Sequence, residues 1–561
     1  MSFTVGANVA EPYVNGVVCW RAASEPLIPL YKFRRRLCAA CSKTKTITRS
    51  IIYKQGMAFL VVCISSLLII SISIYVFQLL ANRRSRLPPG PRPLPFIGNL
   101  LDVVGELPHR SLARIAGRHG PLMTVRLGSQ VIIVASSPST AREVLQTHNR
   151  SLTGRSPPDA WLALGHAANS VFVLPPGRRW RALRRIGTEH LLSARQLDGS
   201  RLRPLLREAT LDLLRRVLGF VEAGSPVEVG RASFAAVMDL QWRAMFSAGL
   251  DDAEERALHD AAREAVAVSL SPNVSDFFPA LAAADLQGER RLFGRRLAMV
   301  YQLVDEQMER RMRGQREAGV GRSGEKDLLD VMLDMSLEQA KDAGAATINR
   351  DVIRTFLTDI FLASVDTIAS TIEWAMAELL QHPDAMSKLQ EELRKVLGSN
   401  AHVEQSDVDR LPYLRAVVKE TLRLHPVVPL VPNKAEETVE IQGHTVPKGC
   451  TVLVSLWAVH RDVGAWPEPD RFIPERFLPR LEETGFLGTT EFDFIPFSAG
   501  HRVCLGLPLA TRMVHAMLGS LLHRFEWTLP QEVKENVVDM SESLGLTMIM
   551  ATPLQAIAKS V

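Results

Sequence analysis

Cysteine is scarce in this chain, with six residues in 561: Cys19, Cys38, Cys41, Cys63, Cys450 and Cys504. Four fall before residue 64, which excludes a disulfide framework and suits a reducing compartment. Cys38 and Cys41 form a lone CxxC without a second ligand pair, and it reads as incidental. An excess of charge is missing as well. The formal balance of +6 comes from residues 1–56, where nine Lys or Arg face only Glu11 and Glu25, a net +7. The rest of the chain therefore sums to −1, and nucleic-acid binding has no support. Aromatic residues make up only 6%, so composition gives no hint of aromatic stacking. Low-complexity tracts and internal repeats are also absent, while 47% apolar residues allow a substantial core. Residues 319–324 satisfy GxGxxG, but a charged helical pattern precedes them instead of a strand, so they read as a connector.

What the sequence does hold begins with residues 57–80, MAFLVVCISSLLIISISIYVFQLL, 24 residues without a charge. A helix of that length reaches about 36 Å, enough for a hydrocarbon core of ~30 Å with some tilt. No small-residue cleavage site comes after it, so a single transmembrane anchor is expected. Arg83, Arg84 and Arg86 come next, and the positive-inside rule puts the chain beyond them on the cytoplasmic side. The basic extension at 1–56 is at odds with this, because Lys43, Lys45, Arg49 and Lys54 flank the other end. Either residues 1–56 are absent from the working protein, or they are an acid-poor transit segment directing it to an organelle. The first reading is favoured, and N-terminal sequencing of the native protein decides. Residues 81–95 form a basic, proline-rich hinge, with five prolines from Pro88 to Pro95. Residues 96–561 show no second linker of that kind and are expected to be one domain. Alternating runs at 122–127 and 131–135 predict a hairpin, and 439–446 and 451–454 predict further strands. Most of the remainder has helical period, so the fold class is mainly α with small β-sheets.

Near the end lies Phe497-Ser498-Ala499-Gly500-His501-Arg502-Val503-Cys504-Leu505-Gly506. A metal-ligating thiolate needs a lowered pKa, a backbone able to wrap the sulfur and a nearby positive field. Gly500 and Gly506 permit tight turns, and a helix from 507 or 508 to about 525 would aim its positive end at Cys504. These are the requirements of a cysteine that holds haem iron. The stretch resembles the FxxGxRxCxG loop of the cytochromes P-450, with all five fixed positions matched. The resemblance covers residues 57–561 and implies a cytochrome P-450 fold behind the anchor, with Cys504 as axial ligand. Phe497, Gly500, Arg502 and Gly506 are implied cofactor contacts. No CxxCH occurs, so the haem b is expected to be non-covalent.

Trp180 and Arg184 share one face of an Arg-dense helix pattern and resemble the WxxxR that binds haem propionates. Arg178, Arg179, Arg181 and Arg185 are expected to dock an acidic electron donor, and His501 to face it. A helix is predicted from Arg350 to Gln381. At its middle, Ala363-Ser364-Val365-Asp366-Thr367-Ile368 resembles the family's oxygen-activation motif, with Asp366 and Thr367 as the acid–alcohol pair. Ser364 and Ile368 depart from the usual Gly and Thr or Ser, which puts groove shape and coupling in question. Glu420 and Arg423 match ExxR on a helix pattern from 411 to 424. Arg476, in a segment resembling the family's WxxPxxFxPERF, would join them in a structural charge triad. Asn433 stands where many members carry Arg or His, leaving propionate binding to Trp180, Arg184 and Arg502.

The resemblance implies a monooxygenase inserting one atom of O2 into an apolar small molecule. Electrons would come from a membrane-bound NADPH-cytochrome P-450 reductase, and the location would be the endoplasmic reticulum membrane. Residues 271–281, 370–376 and 506–510 look like the plant microsomal branch that hydroxylates terpenoids, so a mono- or diterpenoid is expected. By family position the pocket would include Ala363, Val428, Leu430, Leu544 and Gly545. Two alternatives stand: an aromatic or flavonoid hydroxylase, or a haem-thiolate protein that rearranges peroxides or binds ligands without activating oxygen. The intact Asp366/Thr367 pair argues against the latter.

Overall fold

Proline and glycine mark where the helices begin and end. In the computed structural model, α1 (Pro108–His119) starts on a proline and stops at Gly120, whose φ is +108°. Next come α2 (Arg178–Gly187), α3 (Leu202–Glu222), α4 (Val229–Phe246), α5 (Asp252–Ser269) and α6 (Glu289–Ala318). The later helices are α7 (Leu328–Gln339), α8 (Arg350–Gln381), α9 (Pro383–Leu397), α10 (Pro412–Leu424) and α11 (Leu507–Arg524). Proline opens α9 and α10 as well, where its missing N–H and fixed φ cost nothing.

The structure describes residues 86–561 except 106, 270, 319–324, 340–347, 401, 482–490 and 532–537, and also 55, 57–66, 69, 70 and 73. Two compact units divide the chain, Met1–Phe77 and Gln78–Val561. The described part of the expected anchor is helical, with Phe59, Leu60 and Val61 exposed. The remainder of 57–80, nearly all of the basic extension and the GxGxxG segment lie outside the described residues. No helix among the described residues is long and apolar enough to cross a membrane.

Within the larger unit α8 is the axis. Asn349 caps it by accepting the Val352 N–H at 2.9 Å, and its 32 residues reach about 48 Å. Its sequence is apolar on nearly every face because helices surround it: α3, α4 and α11 share its core.

Strands are short. β1 (Leu122–Leu127) and β2 (Gln130–Ala135) form the expected antiparallel hairpin. β3 is Val227–Glu228 and β4 is Leu430–Lys434. The 439–446 run turns at Gln442-Gly443 into β5 (Val439–Ile441) and β6 (His444–Val446). The last strands are β7 (Thr451–Ser455), β8 (Phe525–Thr528), β9 (Glu542–Leu544), β10 (Met548–Met550) and β11 (Gln555–Ser560). β2 pairs in parallel with β7, giving a sheet ordered β1-β2-β7-β4. The β9–β10 hairpin docks on α8, where Ser370 Oγ and Trp374 Nε1 both donate to the Met548 carbonyl.

Candidate active site around Cys504

The loop before α11 folds as its glycine pattern demands at one position and not at the other. Gly500 has φ +71°, and a Cβ there would lie 2.2 Å from the Leu145 carbonyl oxygen, so no other residue fits. Gly506 has φ −82° and nothing nearer its Cβ position than the Cys504 sulfur at 3.9 Å. Its use is the backbone N–H, which together with that of Leu507 is directed at the sulfur. The Cys504 N–H donates to the Phe497 carbonyl at 3.0 Å, closing the turn. The Cys504 side chain is exposed on one side, yet desolvation by the protein packed around it raises its thiol pKa, and the two N–H groups and the Arg184 charge oppose that shift without reversing it. The bare loop therefore does not create the lowered pKa expected from the sequence.

Three arginines converge beside it: Arg155, Arg184 and the predicted Arg502. Burial, then mutual repulsion, brings Arg155 down to about 10 and Arg502 to about 9. The Arg502 guanidinium donates to the carbonyls of Thr153, Val171, Phe172 and Leu174, tying two distant segments to the loop. Arg184 donates to the Val503 carbonyl at 2.8 Å. Trp180 is a platform between Arg184 and Arg502, 5.2 and 4.9 Å from its ring centre, while its indole N–H goes to the Val171 carbonyl. Arg155 was not singled out from the sequence, since nothing local marks it. Its Nε and the Asn433 Nδ2 are buried donors without an acceptor among the described residues.

In the middle of α8, Ala363, Ser364 and Thr367 are half-exposed while Val365, Asp366 and Ile368 are buried. Thr367 Oγ1 donates to the Ala363 carbonyl at 2.8 Å, the i−4 bond that mid-helix threonines form. Ser364 Oγ donates to the Phe361 carbonyl. The Asp366 carboxyl turns elsewhere, to the Thr547 hydroxyl in the β9–β10 turn. Burial raises its pKa, against that hydrogen bond and the Arg263 charge.

Glu420, Arg423 and Arg476 meet. Arg423 makes a bidentate pair with Glu420 at 2.7 and 2.9 Å, and Arg476 Nε reaches the same carboxylate at 3.0 Å. Glu420 and Arg423 are fully buried, and Arg423 also donates to the carbonyls of His460, Pro469 and Arg471. Val428, Leu430, Leu544 and Gly545 are half-buried. Gly545 also lies close against the Ala267 backbone, where a Cβ would approach to 3.2 Å. Arg178, Arg181, Arg185 and His501 are exposed, and Arg179 is half-exposed with a bond to Asn169.

A thiol wrapped by N–H groups, beside guanidinium groups whose nearest help is the more distant Glu436 charge, suits a planar iron cofactor bearing carboxylates. Donors left over at Arg155 and Asn433 fit the same group. Fold and site together define a haem-thiolate protein. The chain belongs to the cytochrome P450 family, whose sequence model matches residues 88–555. It is 40% identical over 504 residues to a geraniol 8-hydroxylase of Catharanthus roseus, covering 88% of this chain and 98% of that one. It is 39% identical over 481 residues to a carnosic acid synthase of Rosmarinus officinalis, covering 84% and 92%. A zebra fish cytochrome P450 structure with progesterone matches the fold at a TM-score of 0.69 and 24% identity, covering 82% of this chain and all of that one. The chain is thus a cytochrome P450 monooxygenase. The family uses non-covalent haem b, with NADPH serving through a reductase.

Proposed function

We propose that this enzyme hydroxylates an apolar mono- or diterpenoid, working as a single-pass endoplasmic reticulum protein with its catalytic domain in the cytoplasm. The half-exposed stripe of Ala363, Ser364 and Thr367 in the buried middle of α8 carries the reading, since it leaves space there for a ligand to face. Val428, Leu430, Leu544 and Gly545 supply further apolar wall, and the terpenoid-hydroxylating relatives support the substrate class. When bound, haem would supply the iron at which dioxygen is activated, and the Cys504 sulfur would hold that iron.

Arg155 and Arg184 would hold the propionates, with Arg502 adding its charge from a guanidinium tied to four backbone carbonyls, Trp180 as the shared platform and Asn433 giving a neutral donor. Phe497, Gly500 and Gly506 fix the loop. Thr367, half-exposed, would offer its hydroxyl as a proton relay, and the buried Asp366 next to it in the chain would hold a proton. The triad Glu420, Arg423 and Arg476 keeps the framework folded. Electrons enter from an NADPH-cytochrome P-450 reductase docked at Arg178, Arg179, Arg181, Arg185 and His501. Residues 57–80 anchor the domain through the 81–95 hinge.

The test is a reconstitution with reductase in vesicles, screened against mono- and diterpenoids with products analysed by mass for one added oxygen. A reduced, CO-bound spectrum of the thiolate type should accompany NADPH- and O2-dependent product. That spectrum without oxygenated terpenoid would refute the substrate class. Thr367→Ala should leave NADPH consumption intact and cut product per NADPH, because the hydroxyl that would relay the proton is gone.

A further inference from the structure

About a third of a turn round α8 from the Thr367 stripe, Asp366, Ser370 and Glu373 line a different cavity. β3 adds Glu228, α4 adds Arg231 and α5 adds Arg263, while neither Cys504 nor Thr367 takes part. Its interior offers about 30 Å3 to the centres of water molecules, and one water needs roughly 10–15 Å3 of such space. Glu228, Arg231 and Arg263 also line a wider opening with His259, Asp260 and Glu264, of which Asp260 and Glu264 are exposed. The two cavities share Glu228, Arg231 and Arg263, which marks a route with room for water from the surface of α5 toward Asp366.

Glu373 sits at the centre of that route. Its carboxyl is buried, accepts the Leu554 N–H at 2.9 Å, and has no cation within ion-pair distance among the described residues. Gly230 makes room for it, since a Cβ there would stand 2.6 Å from the carboxyl. A purely structural acceptor for one N–H does not need an ionisable group, whose burial is costly. We propose that this cavity is the proton-entry port of the monooxygenase and that Glu373 resupplies Asp366. The proposal rests on the proton-holding role given to Asp366 above. When Asp366 gives up its proton, the Glu373 carboxyl passes one to it through cavity water. The resulting Glu373 carboxylate regains a proton from bulk water at the opening, and no electrons move.

The side chains are about two helical turns apart, roughly 10 Å, a gap that one or two waters bridge. Burial pushes Glu373 up to about 7, the Leu554 N–H and Arg263 charge oppose this, and Glu228 and Asp366 reinforce it. The remaining charged neighbour, Arg231, faces the same cavity from α4, and β10 offers only Ile549 and Met550. A donor titrating there is half-loaded at neutral pH, the condition for efficient transfer.

Glu373→Gln keeps the size and the acceptor for Leu554 and tests the idea. In the haem-loaded, reductase-coupled enzyme, product per NADPH should fall about five- to tenfold and the solvent deuterium isotope effect should rise. Glu373→Asp should restore part of the coupling. Independently of turnover, a protonated-carboxyl infrared band titrating near neutral pH in the wild type should vanish in Glu373→Gln. Wild-type coupling, isotope effect and infrared titration in a folded Glu373→Gln would overturn the proposal. If that variant does not fold, Arg263→Met carries the test: the band should then titrate at higher pH, and an unmoved band would overturn it. A wild type without NADPH-dependent product would instead count against the reading of Asp366, leaving the infrared result to judge Glu373.

Discussion

Arg155, Arg184 and Arg502 place three positive charges in one partly desolvated region, yet each is fixed differently. Arg502 spends its donors on four backbone carbonyls, whereas the Arg155 Nε has no acceptor among the described residues. Substitution should separate the two. Arg155→Leu should leave the apoprotein about as stable as wild type, because it removes a half-buried charge that faces the repulsion of Arg184, while weakening haem binding at least tenfold. Arg502→Leu should lower apoprotein stability by about 2–4 kcal/mol, since hydrogen bonds from charged donors contribute ~1.5–3 kcal/mol each and do not add fully. Haem titration and denaturant unfolding of both variants measure these outcomes. Equal effects on the two observables would contradict the division of labour.

Among elements, the Cys504 loop shows why two glycines of one motif are not equivalent. Gly500→Ala must bear a left-handed φ at roughly 1–2 kcal/mol and a clash with the Leu145 carbonyl, so it should destabilise by about 2 kcal/mol or more. Gly506→Ala meets neither obstacle and should unfold near the wild-type temperature as apoprotein. Thermal unfolding compares the pair. A second element-level contact joins α1 to β9. Burial pushes the Glu542 carboxyl up, but bonds from His109 at 2.8 Å and Arg110 at 2.7 Å outweigh it and hold the group at about 2. With the folded pKa below the ordinary 4.5, its stabilisation is complete above pH 4.5 and is lost as pH falls toward 2. Glu542→Gln should flatten that acid limb in unfolding measurements made across this window.

For the whole molecule, the spans of α8, α10 and α11 and the first hairpin were legible from residue spacing. Helical and strand periods, prolines at N1 and an Asn cap are local signals. The Cys504 loop was legible too, because its glycines and the helix after it adjoin it in the chain. What no local pattern held was the company each side chain keeps. Arg155 meets Arg502 across nearly 350 residues, Asp366 meets Thr547 across 181, and β2 pairs with β7 across more than 300. The sequence by itself determined the helical class and the glycine-bounded Cys504 loop, since these are encoded within a few turns of chain. Only the tertiary structure decided that the Trp180 N–H faces Val171, that Asp366 turns toward Thr547, and that Glu373 stands in a cavity behind it. The direction of a side chain is set by which surfaces exclude water together, and those surfaces come from distant parts of the chain.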